Sequence, residues 1–258
     1  MTTQTTENSI LDNEKFSRIP VETVTISGSL RGAIARPASK GPHPAVIVYM
    51  EAFGLNSHIR ETLQLLASHG YCAVAPDIYH GKVFEYSDFK NAIETLSRLN
   101  DAQVMEETRQ TLDYIGTLPD VKKDAVGVTG FCMGGRYTFL SMTTFPDRLR
   151  AGIAFYGGSI GIQGKDGLGR SGVLDRASAL QHPILLLYGA DDPSILPEEH
   201  ARIAETLSRL KKEYQIAVFP NAVHGFFNWH RDSFFRPAAN RAWRIASRFL
   251  EIALPVNS

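Results

Sequence analysis

The sequence predicts an α/β fold: a mostly parallel central sheet flanked by helices on both faces, with an N-terminal antiparallel hairpin. Three observations carry this. Short continuous apolar runs at 45–49 and 184–188 have the length of strands and the side chains of strands buried on both faces. Segments with apolar residues at helical spacing alternate with such runs along most of the chain, the pattern of a parallel sheet whose crossovers are helices. The chain of 258 residues is 43% hydrophobic and 21% charged, a globular profile long enough to bury one large core. Residues 1–20 are expected to form a flexible polar tail and 21–258 a single domain.

Each element has its own justification. Residues 21–35 alternate in the manner of two strands around Ser27-Gly28-Ser29, and Pro37 ends the second. The run 45–49 starts the parallel sheet. Ile59, Leu63, Leu66 and Ala67 then follow helical spacing up to Gly70, a terminator that tolerates the left-handed conformation. A strand at 71–75 leads through Pro76 into a loop with Asp77, His80 and Gly81. A polar helical stretch follows, and then an amphipathic helix at 102–118 stopped by Pro119. The pattern continues with a strand at 125–129, a helix at 133–144 and a strand at 151–156. Next comes a glycine-rich loop at 157–172 without periodicity. Strands at 184–188 and 215–219 and helices at 197–210 and 237–250 complete the alternation.

Chemistry is concentrated at three predicted strand ends, where sites of parallel sheets collect. Gly130-Phe131-Cys132-Met133-Gly134-Gly135 lies between a strand and a helix and has the form G-x-C-x-G. In a nucleophile elbow of this kind a sharp turn holds the nucleophile in a strained conformation, and small neighbours avoid clashes. The turn would put Cys132 at a helix N-terminus, which favours a thiolate, and would aim the Met133 amide at a developing oxyanion. A structural thiol is the plain alternative. Asp192 follows the strand at 184–188 and is taken as the acid that orients the base, although spacing alone does not separate it from Asp191. His224 follows the strand at 215–219 and is the candidate base. Nucleophile, acid and histidine thus arrive in the chain order of elbow hydrolases. His182 and His200 have structural readings.

Four blocks make the chain resemble the dienelactone hydrolase (carboxymethylenebutenolidase) family of α/β-hydrolases, from about residue 21 to residue 250. They are Glu51-Ala52-Phe53-Gly54-Leu55-Asn56 with Ile59-Arg60-Glu61, Pro76-Asp77-Ile78-Tyr79, the cysteine elbow, and Asp192 with His224-Gly225-Phe226. The resemblance implies that Cys132 attacks, His224 is base and then acid, Asp192 orients it, and the amides of Ala52 and Met133 bind the oxyanion. It also implies that Glu51 contacts the thiol and helps to deprotonate it; a surface-type ion pair with Arg60 is the alternative. The family's carboxylate-binding arginine four residues after the histidine is Asn228 here. A second such arginine has no secure counterpart, with Lys82, Lys90 or Arg98 on offer and Arg136 or Arg231 as possible compensation. Phe53, Tyr79, Arg136, Phe226 and Asn228 are the expected substrate contacts. Phe84, Tyr86, Tyr156, Phe227 and Trp229 add to an apolar pocket.

The expected function is hydrolysis of an ester or lactone of a small organic acid through acyl-Cys132. Broad carboxylesterase or thioesterase activity, or a non-catalytic binding module, are the alternatives. Lysine plus arginine and aspartate plus glutamate each number 27, so no net field recruits nucleic acid. No apolar run approaches the ~18 residues that span a bilayer. Two cysteines, Cys72 and Cys132, make no disulfide framework and fit a cytoplasmic protein. No metal or cofactor is expected, since Glu198-Glu199-His200 opens a helix and no ligand spacing occurs. A small-molecule substrate, and a monomer or homodimer, complete the expectations.

Overall fold

A computed structural model describes residues 18–256; the expected tail therefore lies almost wholly outside the described residues. Eight strands form one sheet in the order β1-β2-β4-β3-β5-β6-β7-β8. These are β1 (Val21–Ser27), β2 (Leu30–Ala35), β3 (His43–Tyr49), β4 (Cys72–Pro76), β5 (Val121–Phe131), β6 (Ala151–Phe155), β7 (Ile184–Gly189) and β8 (Tyr214–Phe219). The first two strands form the antiparallel hairpin, β2 also runs antiparallel to β4, and every pairing from β4 to β8 is parallel. The helices are α1 (Ser57–Ser68), α2 (Phe89–Ser97), α3 (Asp101–Thr117), α4 (Met133–Thr144), α5 (Pro197–Arg209) and α6 (Arg236–Ala253).

Burial explains why the apolar runs read as strands. Every residue of β3, β4, β6 and β7 is buried, as helices on both faces require. Neighbouring residues of a strand point to opposite faces. A Cβ on Gly127 would meet Leu254 at the end of α6, whereas one on Gly152, paired with Val128, would meet Met142 of α4. The two helices therefore cover opposite faces. On the α6 side, α1 joins it through His69 and Trp243, whose rings are 5.0 Å apart.

Two segments differ from the sequence-based reading. The strand expected at 125–129 begins four residues earlier, because buried Val121 and the charged residues 122–124 extend the backbone so that Val121 comes into register with His43. A 3-10 turn, Leu174–Ala179, follows the glycine-rich loop, where one buried residue, Ala177, gave no periodic signal.

Candidate active site

Strand β5 ends at Phe131 and α4 begins at Met133, which leaves Cys132 alone in the turn with φ 57° and ψ −118°. That backbone is strained for any residue with a side chain, and its surroundings must over-determine it. The Cys132 N–H donates to Phe155 O at 3.0 Å, and Cys132 O accepts from Gly135 N at 3.0 Å. A Cβ on Gly130 would stand 2.2 Å from Gly134 O, and one on Gly134 would stand 2.8 Å from Met50 O. The spacing G-x-C-x-G is thus a steric necessity of this turn. As the first residue of α4, Met133 has an N–H with no helical carbonyl to receive it. Cys132 is partly exposed, while Cys72 is sealed within β4, where burial and then the nearby Asp120 push its thiol up to about 12.

Asp192 and His224 meet Cys132 from the next strand ends. The Asp192 side chain has no exposure; its Oδ2 accepts from His224 Nδ1 at 2.7 Å and its Oδ1 from Ser194 N at 2.8 Å. Asp191 is exposed beside it. Burial pulls the His224 imidazole down, but the negative charge of Cys132, with hydrogen bonds from His224 to Asp192 and to Cys132, outweighs burial and raises it to about 10. The site therefore favours the imidazolium form, which a carboxylate and a sulfur flank.

Glu51, in the turn after β3, is 2% exposed and accepts at both oxygens. Tyr156 Oη donates to Oε1 at 3.0 Å and Asn228 Nδ2 to Oε2 at 2.7 Å. Arg60 is not among its partners, so the ion-pair alternative is set aside. Asn228 also donates to Tyr86 Oη at 3.0 Å, which accepts from Asn56 at 3.1 Å, so neutral donors surround the carboxylate. In the sequence Tyr156 is only one more aromatic; at φ 37°, with its ring centroid 5.1 Å from that of His224, it links Glu51 to the histidine. The signal that would have found it is its position at the end of β6, next to the elbow strand.

A cleft of about 640 Å³ opens over Cys132, within the range of about 300–1,000 Å³ typical of ligand sites. Glu51, Ala52, Phe53, Cys132, Met133 and His224 all line it. Four expected substrate contacts lie elsewhere. Arg136 is buried on α4 and forks onto Asp101 at 2.7 and 2.8 Å, because α3 brings its first-turn acid against that guanidinium. Tyr79, whose Oη meets Met133 Sδ at 4.0 Å, and Phe226, whose ring lies 5.4 Å from Tyr156, are core residues behind the cleft wall. Asn228 faces Glu51 rather than the cleft. Of the further aromatics, Tyr156 and Phe227 belong to a buried cluster that includes Phe131 and Phe155, so the apolar pocket is not built from them.

The cleft's remaining wall has no signal in the sequence. The loop at 157–172 is anchored where Glu199 Oε1 accepts from Ile160 N at 2.8 Å and Gly161 N at 3.0 Å, and where Arg202 donates to Gly161 O at 2.5 Å. Arg170 of that loop pairs with Asp166 at 2.9 Å. Lys82, Lys90 and Arg98 do not reach the cleft; Arg98 pairs with Glu94, and Arg231 lies over the Phe53 ring at 5.4 Å. Glu199 and His200 sit on α5, where His200 stacks on Tyr188 with centroids 4.1 Å apart. Among the described residues no group of three or more metal-binding side chains converges.

The sheet order and the strained elbow at the end of β5 define an α/β-hydrolase. More narrowly, the chain belongs to the dienelactone hydrolase family, whose model matches residues 30–254. It is 32% identical over 242 residues to a Synechocystis protein named "Putative carboxymethylenebutenolidase", with 92% of this chain and 95% of that one covered. An Escherichia coli K12 protein of the same name is 34% identical over 217 residues, covering 81% and 78% of the two chains. Among solved structures, the "Putative Dienelactone Hydrolase" of Klebsiella pneumoniae superposes with a TM-score of 0.82 at 31% identity, covering 90% of this chain and 98% of that one.

Proposed function

We propose that this protein is a cysteine-dependent hydrolase of carboxylic esters or lactones, acting through an acyl-Cys132 intermediate. The observation that carries the reading is the Asp192–His224 hydrogen bond, with His224 lining the same cleft as a cysteine held at φ 57° in the elbow. Relatives named carboxymethylenebutenolidase support the bond class.

The proton inventory closes through His224. Cys132 passes its proton to His224, so that the sulfur faces an imidazolium at the moment of attack. The sulfur attacks the ester carbonyl, and the negative charge on the oxygen is received by the N–H groups of Ala52 and Met133. As the carbon–oxygen bond breaks, His224 gives its proton to the departing alkoxide and becomes neutral. Acylation also removes the sulfur charge, the leading influence that holds His224 protonated against burial. A neutral imidazole is what the second half needs: it takes a proton from water, hydroxide attacks the thioester, and Cys132 leaves as thiolate opposite a regenerated imidazolium. Asp192 keeps Nδ1 protonated throughout and fixes the ring's orientation. Glu51, at the cleft wall, assists deprotonation of the thiol in the family-like role. No step calls for a metal or cofactor, and the two unbridged cysteines argue for a cytoplasmic enzyme.

The test is turnover of p-nitrophenyl esters and an enol lactone by Cys132→Ala, with intact-mass detection of the acyl-enzyme in the parent protein. Turnover is expected to vanish and an adduct to map to Cys132. Retained turnover would overturn the reading.

A further inference from the structure

One wall of the cleft has chemistry that the reaction at Cys132 does not use. Phe89, Ile93 and Leu96 occupy positions i, i+4 and i+7 of α2, a single stripe, and all three face the cleft that holds Cys132. Phe53, beside the Glu51 turn, continues the stripe, its ring centroid 6.4 Å from that of Phe89. Across the sequence, the loop that carries Asp192 adds Leu196 to the same cleft. Phe89 is 57% exposed and Leu196 56% exposed, so two large apolar side chains stand in water at the mouth of a catalytic cleft.

Single exposed apolar residues are ordinary on protein surfaces. A stripe that continues from the nucleophile to two exposed residues is not a scatter. Its water is released when an apolar ligand covers it, and that release is a binding free energy. The four cations that line the cleft, Lys165, Arg170, Arg202 and Arg231, come from other elements; Arg170 pairs with Asp166, Arg202 donates to Gly161 O, and Arg231 lies over Phe53. The α2 stripe contributes no charge.

We infer that the substrate is an ester with an apolar alkyl or aryl group of several carbons, which docks along Phe89, Ile93 and Leu96 and reaches Leu196 while its carbonyl sits at Cys132. The inference rests on the cysteine hydrolase reading and narrows it, away from small charged lactones.

Two ester series test it: p-nitrophenyl esters with acyl chains of two to eight carbons, and acetates of primary alcohols of the same lengths, alongside a carboxylate-bearing enol lactone. Each methylene removed from water raises kcat/KM by about two- to fourfold in a half-open cleft, so hexanoyl over acetyl should gain about 15- to 250-fold. In Phe89→Asp and in Leu196→Asp, both at exposed positions that fold without them, the dependence on chain length should flatten. Kinetics that stay flat or fall with length in both series, or a slope unchanged in both variants, overturn the inference, as does preference for the enol lactone over every longer ester. Those outcomes leave the hydrolase reading standing; only loss of all ester turnover in the parent, or turnover retained by Cys132→Ala, would remove that reading as well.

Discussion

Removing one hydroxyl should show how Glu51 is held. Tyr156→Phe deletes the donor at 3.0 Å from Oε1 and leaves the ring, with its contacts to His224 at 5.1 Å and Phe226 at 5.4 Å, in place. Since the glutamate is 2% exposed, water does not readily replace the lost donor. A hydrogen bond to a charged group contributes about 1.5–3 kcal/mol, and a domain of this size loses about 2–4 °C of Tm per kcal/mol. The variant should therefore melt about 3–12 °C lower, with kcat reduced more than KM because a carboxylate at the cleft wall has lost half of its support. The decisive assay is a double-mutant cycle with Glu51→Gln, read by urea denaturation and by kcat/KM. Direct coupling predicts an interaction energy above about 1 kcal/mol, whereas independent sites add within about 0.5 kcal/mol. Additivity in both readouts would refute the argument that Tyr156 positions Glu51.

Four further outcomes follow from the same geometry. By NMR, the His224 ring should stay protonated from pH 6 to 8.5 in the parent and titrate at lower pH in Cys132→Ala, where the sulfur charge is gone; identical titrations would break the link between the two. Because its pKa is raised from 6.5 to about 10, His224 stabilises the fold fully below pH 6.5 and loses that contribution as the pH climbs through 10, which urea midpoints at pH 7 and 10 should register. Gly134→Ala places a Cβ 2.8 Å from Met50 O and Tyr49 O; it should cost about 1–3 kcal/mol and abolish turnover by shifting the Met133 N–H, while normal turnover would deny the elbow its steric logic. Asp101→Ala strands the buried Arg136 guanidinium and should cost about 1–3 kcal/mol, discounted for the partial exposure of Asp101, with KM unchanged; a raised KM at constant stability would restore Arg136 to the substrate.

What could be read in the sequence was whatever neighbouring residues encode. Strand β7 announces itself by five consecutive apolar residues, and the elbow by two glycines that flank Cys132 at fixed offsets. The order Cys132, Asp192, His224 placed three groups at strand ends, and the sheet order brought those ends together. What stayed hidden depends on contacts between distant segments. Nothing near Arg136 in the chain says that Asp101, 35 residues earlier, will take its fork. Asn228 looked like a vacancy at a substrate contact, and only the fold shows it solvating Glu51 from 177 positions away. Phe89 and Ile93 read as part of a polar helix, since their stripe has meaning only beside a cleft.

The anchoring of the 157–172 loop bears on how such an enzyme changes its diet over evolutionary time. Glu199 and Arg202, which grip Ile160 and Gly161, stand on the helix that follows the Asp192 turn, so the base of the cleft's far wall and the carboxylate that bonds His224 share one support. Toward the tip, a Cβ on Gly164, Gly167 or Gly169 would meet nothing within 4 Å. Insertions there would re-tailor the entrance while the root stays pinned, whereas a single residue gained or lost at 160–161 would tug on the Asp192–His224 pair itself. The loop thus divides into a part open to innovation and a part closed to it, with the boundary set by one buried glutamate.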